Sequence, residues 1–241
     1  MHNVIVTGGS RGLGLAMVRE LAAAGYRVIA IARGAGSELT AAAAAAPPGA
    51  IEFRAADLSN LAAIPVLVRA LRDEFGPIYA LVNNAGLGTA GVLGVMRDQD
   101  IETLVRLNTI SPMILTKYVL RSMMTSRAGR IVNIASIVAL TGYDGLSVYS
   151  ATKASLIGFT QSLAREVGQL GITVNAIAPG FVATDLTEEL SPAQRAKIAG
   201  RSALRRLAEP VDVARSVLFL LGETGRNITG IVLTVDAGNT A

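Results

Sequence analysis

The stretch YSATK, residues 149–153, places a tyrosine and a lysine four positions apart. The surrounding sequence SVYSATKASLIGFTQSLAREV is typical of a long helix, so Tyr149 and Lys153 are predicted to share one helix face. A neighbouring ammonium favours the phenolate and moves the tyrosine pKa from about 10 toward the range where a proton is exchanged efficiently. Because the chain has only three lysines against nineteen arginines, we interpret the pair as an acid-base group rather than an incidental spacing.

Two further polar residues complete a candidate catalytic set. Ser136 ends the strand-like run RIVNIAS, and doubly wound sheets place their ligands at the carboxyl ends of parallel strands. Taken alone, a serine at a strand end is more often a cap or turn residue. Asn108, in VRLNTI, is predicted in mid-helix, where asparagine is disfavoured unless its amide has a task.

A glycine-rich loop, TGGSRGLG at residues 7–14, follows the first strand-like run and leads into a helix. Glycines at 8, 12 and 14 would let the backbone turn tightly and approach a pyrophosphate, which the free N–H groups at a helix start attract. The spacing is TGxxxGxG and not the commoner GxGxxG. The loop therefore predicts a dinucleotide site at the amino-terminal end of the chain.

The residues after the second and third strands predict which dinucleotide binds. The second strand ends in Ala32-Arg33, with no carboxylate for the ribose hydroxyls of NAD. Arg33, together with Arg11 in the glycine loop, would instead pair with the 2′-phosphate of NADP; the alternative is two solvated surface arginines. Asp57 after the third strand is offered to the adenine amino group, and Asn83 follows the fourth. NADP(H) is the predicted cofactor.

The elements that must position these groups form a regular series. Seven short β-branched runs alternate with helical stretches, at residues 3–8, 27–32, 51–55, 78–84, 130–136, 171–179 and 231–238. This rhythm predicts βαβ units, hence a single-domain α/β fold over residues 1–241: a Rossmann-type, doubly wound sheet of seven parallel strands with helices on both faces. An alanine run at 41–46 predicts a short helix. Residues 186–210 predict a helical excursion that covers a site.

Composition excludes several classes of chemistry. The chain has no cysteine and a single histidine, His2, which excludes disulfides, cysteine nucleophiles, a Ser-His-Asp triad and histidine or thiolate metal sites. No apolar run is long enough for a membrane span, and the amino-terminal residues lack signal-peptide features, so a cytoplasmic protein is expected. The net charge is +4 with dispersed arginines and no aromatic stripe, which disfavours nucleic-acid binding.

The motifs together resemble one known family. TGxxxGxG, NNAG, the helical Asn108, the strand-end Ser136, YxxxK and PGFVATDL match the pattern of the classical short-chain dehydrogenase/reductases over nearly the whole chain. Residues 149–195 look most like the 3-oxoacyl-[acyl-carrier-protein] reductases, although related ketone, acetoacetyl-CoA and polyketide reductases share much of this wording.

The resemblance implies roles for the catalytic set. NADPH would deliver hydride to a ketone carbon while Tyr149 protonates the developing alkoxide and Ser136 donates a hydrogen bond to the same oxygen. Lys153 would lower the tyrosine pKa and bind the nicotinamide ribose, and Asn108 would hold a water for reprotonation. A homotetramer is expected, as in the relatives. The loops and the resemblance together predict cofactor contacts at Thr7, Gly8, Ser10, Arg11, Gly12, Leu13, Gly14, Arg33, Asp57, Leu58, Asn83, Ala85, Gly86, Tyr149, Lys153, Pro179, Gly180, Val182 and Thr184.

The positions expected to contact a carrier protein match the family pattern only in part. Acyl-carrier-protein reductases present basic residues before GRI and before GIT to meet an acidic carrier; Arg127 fits the first position, but Leu170 stands at the second. Basic residues at 195, 197, 201, 205 and 206 would supply the charge or form a solvated helix face. The leading hypothesis is an NADPH-dependent 3-oxoacyl thioester reductase. Alternatives are a reductase of a free ketone, sugar or other secondary alcohol, and a non-catalytic NADP-binding regulator.

Overall fold

The computed structural model describes residues 1–182 and 191–241. Within this described part, no helix has the length and apolarity that a membrane crossing requires.

One sheet of seven parallel strands organises the chain, as predicted. Its order is β3-β2-β1-β4-β5-β6-β7. The strands are β1 (Asn3–Thr7), β2 (Arg27–Ala32), β3 (Ile51–Ala55), β4 (Ile78–Asn83), β5 (Gly129–Ile134), β6 (Ile172–Pro179) and β7 (Val232–Val235). Each predicted strand-like run overlaps an observed strand, and the bounds differ by at most three residues.

The α-helices of the described residues alternate with these strands. They are α1 (Gly12–Ala23), α2 (Gly36–Ala45), α3 (Ile64–Phe75), α4 (Asp98–Val105), α5 (Ser111–Ser126), α6 (Ser147–Val167), α7 (Pro192–Arg201) and α8 (Pro210–Leu221). The alanine run lies in α2. Helix α7 lies within the range of the predicted excursion, and Ser191 caps it by accepting a hydrogen bond from the Gln194 N–H.

Two apolar layers hold the sheet between the helices. One face packs against α1 and α8 through residues such as Leu21, Val213 and Leu220. The other packs against α3, α5 and α6 through residues such as Val119 and Leu163. Both faces of the sheet are therefore covered, which explains why its central strands are almost continuous apolar runs instead of alternating ones.

The strand order creates the crevice. The chain adds strands outward from β1 in one direction as far as β3, then returns to add β4 on the other side of β1. The crossovers on either side of this point leave in opposite directions, so the loops after β1 and β4 diverge at the carboxyl edge of the sheet. Among the described residues, the candidate site residues lie at or just after the carboxyl ends of strands, or in helical segments that border this edge.

Candidate active site

The glycine loop adopts a conformation that strongly favours glycine at its key positions. Gly8 has φ of 67° and Gly12 has φ of 52°, in the left-handed region that side chains disfavour. A Cβ atom added to Gly14 would lie 2.0 Å from the Gly8 carbonyl oxygen. Ser10 and Leu13 are half-buried in this loop, and Arg11 is exposed at the start of α1. The loop is thus a backbone cradle at a helix amino terminus, which suits a pyrophosphate.

Thr7 and Asn84 tie the glycine loop to the loop after β4. The Thr7 hydroxyl oxygen accepts hydrogen bonds from the backbone N–H groups of Asn84 and Ala85, both at 2.9 Å. The Asn84 side chain donates to the Thr7 carbonyl at 2.8 Å. Sequence reasoning did not select Asn84. Its position one residue beyond the end of β4 was the available signal, because side chains alternate between the faces of a strand.

The side chain of Asn83, a predicted cofactor contact, is buried and hydrogen-bonded within the protein. Its amide nitrogen donates to the Thr116 hydroxyl at 3.0 Å and to the Asn133 side-chain oxygen at 2.8 Å. Asn133 in turn donates to the Thr160 hydroxyl at 2.8 Å. Asn83 is therefore part of a row of polar side chains that connects α5 to α6 through β4 and β5. The neighbouring Asn84 is the residue whose side chain contacts the start of the glycine loop.

Asp57 and Arg33 lie at the edge where an adenosine would be expected. One carboxylate oxygen of Asp57 accepts hydrogen bonds from the Ser59 hydroxyl at 2.7 Å and the Ser59 N–H at 2.9 Å. These bonds, with a smaller contribution from the charge of Arg33, lower the pKa of Asp57. Arg33 and Asp57 are exposed, whereas Leu58 between the Asp57–Ser59 turn residues is buried. The exposed guanidinium of Arg33 and the exposed carboxylate of Asp57 thus lie just after the carboxyl ends of β2 and β3.

Ser136 and Tyr149 meet at the carboxyl end of β5. The Ser136 hydroxyl accepts a hydrogen bond from the Val138 N–H at 3.4 Å, so it caps the turn after the strand. It also forms a side-chain hydrogen bond with Tyr149, which lies in the first turn of α6. The serine therefore caps the turn, as strand-end serines often do, and also neighbours Tyr149.

The pKa of Tyr149 is raised, whereas the sequence predicted that it would be lowered. The pKa of Lys153 is shifted as well. Burial raises the pKa of Tyr149, and the hydrogen bond with Ser136 opposes this shift. The ammonium nitrogen of Lys153 is 5.8 Å from the tyrosine ring centroid, and the tyrosine pKa is not lowered as expected because desolvation dominates. Burial also lowers the pKa of Lys153 to about 8.

Lys153, Gly86 and Asn108 converge beneath the tyrosine. The Lys153 ammonium donates to the Ile134 carbonyl at 2.8 Å and is 5% exposed. A Cβ atom on Gly86 would lie 3.1 Å from the Asn108 side-chain oxygen and 3.4 Å from the Lys153 nitrogen. Gly86 is therefore the residue that leaves room for the polar groups of two helices to meet.

Asn108 lies in a π-helical turn and not in a regular mid-helix position. This turn, Arg106–Ile110, joins α4 to α5. The Asn108 amide bonds to both backbone groups of Leu87 at 2.8 Å and donates to the Thr152 hydroxyl at 3.2 Å. Thr152, which sequence reasoning missed, is 2% exposed and donates to the Tyr149 carbonyl at 2.7 Å. These bonds fix the loop after β4 against the helix of Tyr149.

The described residues directly after β6 pack against the chain that follows β7. A Cβ atom on Gly180 would lie 2.6 Å from the Asp236 Cβ, so Pro179-Gly180 passes close to the chain after β7. Val182 is buried and forms an isolated bridge with Ala208. Thr184, a predicted cofactor contact, lies outside the described residues, as does the beginning of the predicted excursion at residue 186.

Comparison with known proteins agrees with this geometry. The family model for short chain dehydrogenase matches residues 2–195. The chain is 40% identical to 3-oxoacyl-[acyl-carrier-protein] reductase FabG of Haemophilus influenzae, over 97% of this chain and 96% of that protein. It is 41% identical to the FabG reductase of Escherichia coli over 97% of this chain and 95% of that protein.

Solved structures show the same fold. ElxO with NADP bound superimposes with a TM-score of 0.92 at 29% identity, over 99% of this chain and 98% of that one. A Tyr-to-Phe variant of ElxO with NADPH bound gives a TM-score of 0.91 at 28% identity, over the same shares of the two chains. From the family match and the full-length relatives, the chain belongs to the short chain dehydrogenase family.

Proposed function

We propose that this protein reduces a 3-oxoacyl thioester to the 3-hydroxyacyl thioester with NADPH. The observation that carries the proposal is that half-buried Tyr149 and buried Ser136 and Lys153 lie together at the carboxyl end of β5. The chain is also about 40% identical to FabG reductases over nearly its full length. All four members of the predicted catalytic set are present, which argues against the alternative of a non-catalytic regulator.

The residues present fit a phosphorylated dinucleotide. The glycine loop leaves little space for a side chain at Gly8 and none at Gly14, and Gly12 has a positive φ, as close approach to a pyrophosphate requires. Arg33 stands at the end of β2 where an NAD-binding chain would carry a carboxylate, and guanidinium pairs well with phosphate. The bound cofactor supplies a hydride. The solved relatives with NADP and NADPH bound support this choice.

The chain's own groups account for the proton. Reduction of a ketone adds a hydride to carbon and a proton to oxygen, and Tyr149 is the proton donor at that oxygen. Its raised pKa keeps the phenol protonated at neutral pH, which suits an acid that must donate. Ser136 stabilises the same oxygen by a hydrogen bond as negative charge develops on it.

Lys153 and Asn108 hold the return path of the proton. Lys153 has a pKa near 8 and is in a position to relay a proton toward Tyr149 after each turnover. Asn108 is positioned beside it through its bonds to Leu87 and Thr152. We propose that a water between Asn108 and Lys153 connects this pair to solvent.

An acyl chain is supported by the apolar loops at the crevice. Val92, Leu93 and Val95, in the loop after β4, are 56–83% exposed, and Leu140 after β5 is 46% exposed. The two loops are joined by the Gly91 N–H, which donates to the Gly145 carbonyl at 2.8 Å. Apolar side chains left in water beside a polar reaction centre suit a ligand with a ketone head and an alkyl tail.

The proposed setting follows the relatives. We propose a cytoplasmic homotetramer, as the family resemblance implies. We also propose that acyl carrier protein carries the substrates, because the FabG relatives are named as acyl-carrier-protein reductases.

A substrate comparison tests the proposal. NADPH oxidation is followed with 3-oxobutanoyl carried on acyl carrier protein, on CoA and on N-acetylcysteamine, beside a panel of free ketones and sugars. We expect the thioesters to react with higher kcat/KM than any free ketone. A clear preference for a free ketone would replace the proposed function with the alternative.

A further inference from the structure

The net positive charge of the protein is concentrated in one segment. Residues 191–206 contain five basic residues and no Asp or Glu. Outside this segment, seventeen basic residues face eighteen acidic ones, so the rest of the chain has a net charge of −1. Three acidic residues precede the segment at 185, 188 and 189 and lie outside the described residues. The +4 charge of the chain is therefore a local property and not a general one.

Three of these basic residues form a continuous face. Lys197 and Arg201 lie four positions apart in α7, so they share one side of the helix. Arg205, in the turn that follows, donates to the Gly200 carbonyl, which brings it beside the last turn of α7. All three are exposed. We call Lys197, Arg201 and Arg205 the basic face.

The basic face has no carboxylate partner among residues 1–182 and 191–241. Arg206, by contrast, is 3.9 Å from the Asp212 carboxylate and is left out of the face for that reason. Arg205 has φ of 53°, a conformation that glycine adopts without cost and arginine does not. A positive charge is thus held at this turn despite an unfavourable backbone, and no residue of the described ranges forms an ion pair with it.

Hydrogen bonds connect the segment that carries the basic face to the loop that leads into α6. The backbone of Ala203 donates to the Gly238 carbonyl at 3.2 Å, and the Asn239 side chain donates to the Ser202 hydroxyl at 3.4 Å. The same Asn239 accepts a hydrogen bond from the Tyr143 hydroxyl at 3.0 Å. Tyr143 precedes Tyr149 by six residues in the loop that leads into α6. The basic segment and the catalytic helix are therefore linked through one side chain.

The positions expected to meet a carrier are weaker candidates. Leu170 has no charge, and the guanidinium of Arg127 donates to the Gln169 carbonyl at 3.2 Å. A helix with charges at a four-residue interval matches carboxylates at the same interval on another helix better than it matches one phosphate group. We propose that the basic face is the docking surface for an acidic, helical acyl carrier protein that delivers the substrate. This inference rests on the proposed function and names the residues that select its partner.

Charge reversal at two positions tests the docking surface. Lys197→Glu combined with Arg201→Glu is compared with Arg69→Glu combined with Arg72→Glu, an exposed pair on α3 that changes the net charge equally. The substrates are 3-oxobutanoyl on acyl carrier protein, on CoA and on N-acetylcysteamine. We expect the α7 variant to raise KM for the carrier-linked substrate about tenfold, with kcat and the other two substrates unchanged. We expect the α3 variant to leave all three substrates unchanged.

Salt gives a second measurement. KM for the carrier-linked substrate should rise with NaCl concentration in the native protein, and this dependence should be weaker in the neutral variant Lys197→Gln/Arg201→Gln. The neutral variant introduces no repulsion, so it separates lost attraction from new repulsion.

The remaining outcomes contradict the docking surface. An equal rise in KM for the CoA ester would assign the face to the phosphates of the pantetheine arm. An equal loss on all three substrates would show that the segment shapes the catalytic site, and an unchanged KM for the carrier-linked substrate would remove the surface altogether.

Failure of the proposed function is distinguishable from these results. If the native protein reduces no thioester, binding of immobilised acyl carrier protein to the native protein and to the α7 variant is measured without turnover. Weaker binding of the variant would support the docking surface, and equal binding would overturn it.

Discussion

The reaction centre and the basic face both contain positive charge, but they hold it in opposite ways. Lys153 is 5% exposed and donates to a backbone carbonyl, whereas Lys197 is exposed on α7. In a low-dielectric interior each charge interacts strongly with its neighbours, whereas a charge in water interacts weakly and is screened by salt. Under the proposals above, the buried cation serves a fixed chemical step, and the exposed cations serve encounter with a partner.

This contrast predicts that changes in the reaction centre are large and insensitive to salt. The largest effect is expected for Tyr149→Phe, which removes the only atom that donates the proton. We expect kcat for NADPH oxidation with 3-oxobutanoyl-CoA to fall about a thousandfold. Tyr118→Phe, which removes a hydroxyl from α5, is the matched control and should retain normal turnover. Near-normal turnover by Tyr149→Phe would remove Tyr149 from the chemistry.

The buried ammonium of Lys153 predicts a pH-dependent stability. Its pKa is about 8 in the folded chain against 10.5 for an ordinary lysine. Below pH 8 the group is protonated in both states, so the full cost of burying the charge is present; between pH 8 and 10.5 the unfolded chain binds more protons, and stability rises with pH. The shift corresponds to about 3 kcal/mol.

Lys153→Met measures that cost. Below pH 8, we expect Lys153→Met to have a larger free energy of unfolding than the native protein. We expect this difference to shrink toward pH 10. Lys197→Met, at an exposed lysine, should show no such pH dependence. A difference between Lys153→Met and the native protein that is constant with pH would mean that the ammonium is not desolvated.

The glycine cradle predicts a steric effect of intermediate size. Gly14→Ala would place its Cβ 2.0 Å from the Gly8 carbonyl oxygen, so the loop must shift. We expect a loss of about 2 kcal/mol in unfolding free energy and weaker NADPH binding by calorimetry. Gly158→Ala is the control, because a Cβ there meets no atom within 4 Å. Equal affinities in both variants would contradict the cradle.

The smallest of these effects is expected at the exposed edge of the cofactor site. Arg33→Ala should raise KM for NADPH about tenfold, since one charge-assisted contact in water is lost, and should leave KM for NADH unchanged. Arg19→Ala, at another exposed arginine, should leave both unchanged. An equal effect of Arg33→Ala on the two cofactors would remove the 2′-phosphate interpretation.

The sheet and the shared helix face of Tyr149 and Lys153 were predictable because each depends on local pattern. Short apolar runs predicted the seven strands, and the four-residue interval predicted the shared face. The hydrogen-bond partners of Asn83 were not predictable, because Asn83 and Asn84 are consecutive and strand parity decides which of the two side chains is buried. That parity depends on where the strand starts, which varies by a residue or two in any interpretation of sequence.

The pKa of Tyr149 and the position of Asn108 could not be predicted for a different reason. The pKa direction depends on how deeply tertiary packing buries the phenol, and a neighbouring cation alone suggests the opposite sign. The π-helical turn at Arg106–Ile110 is held by contacts with Leu87 and Thr152, which lie far away along the chain. Local sequence contains no record of either partner.

The π-helical turn also sets a limit on how this region tolerates change in length. A π turn accommodates one more residue than the regular helix that would replace it. Removal of a single residue between 106 and 110 would therefore allow α4 and α5 to merge into one uninterrupted helix. Because the π turn holds this extra residue, α4 and α5 would keep their relative orientation after the deletion. The protein would keep its helix but change the position of Asn108, so a deletion here is expected to be as harmful as replacement of Asn108 itself.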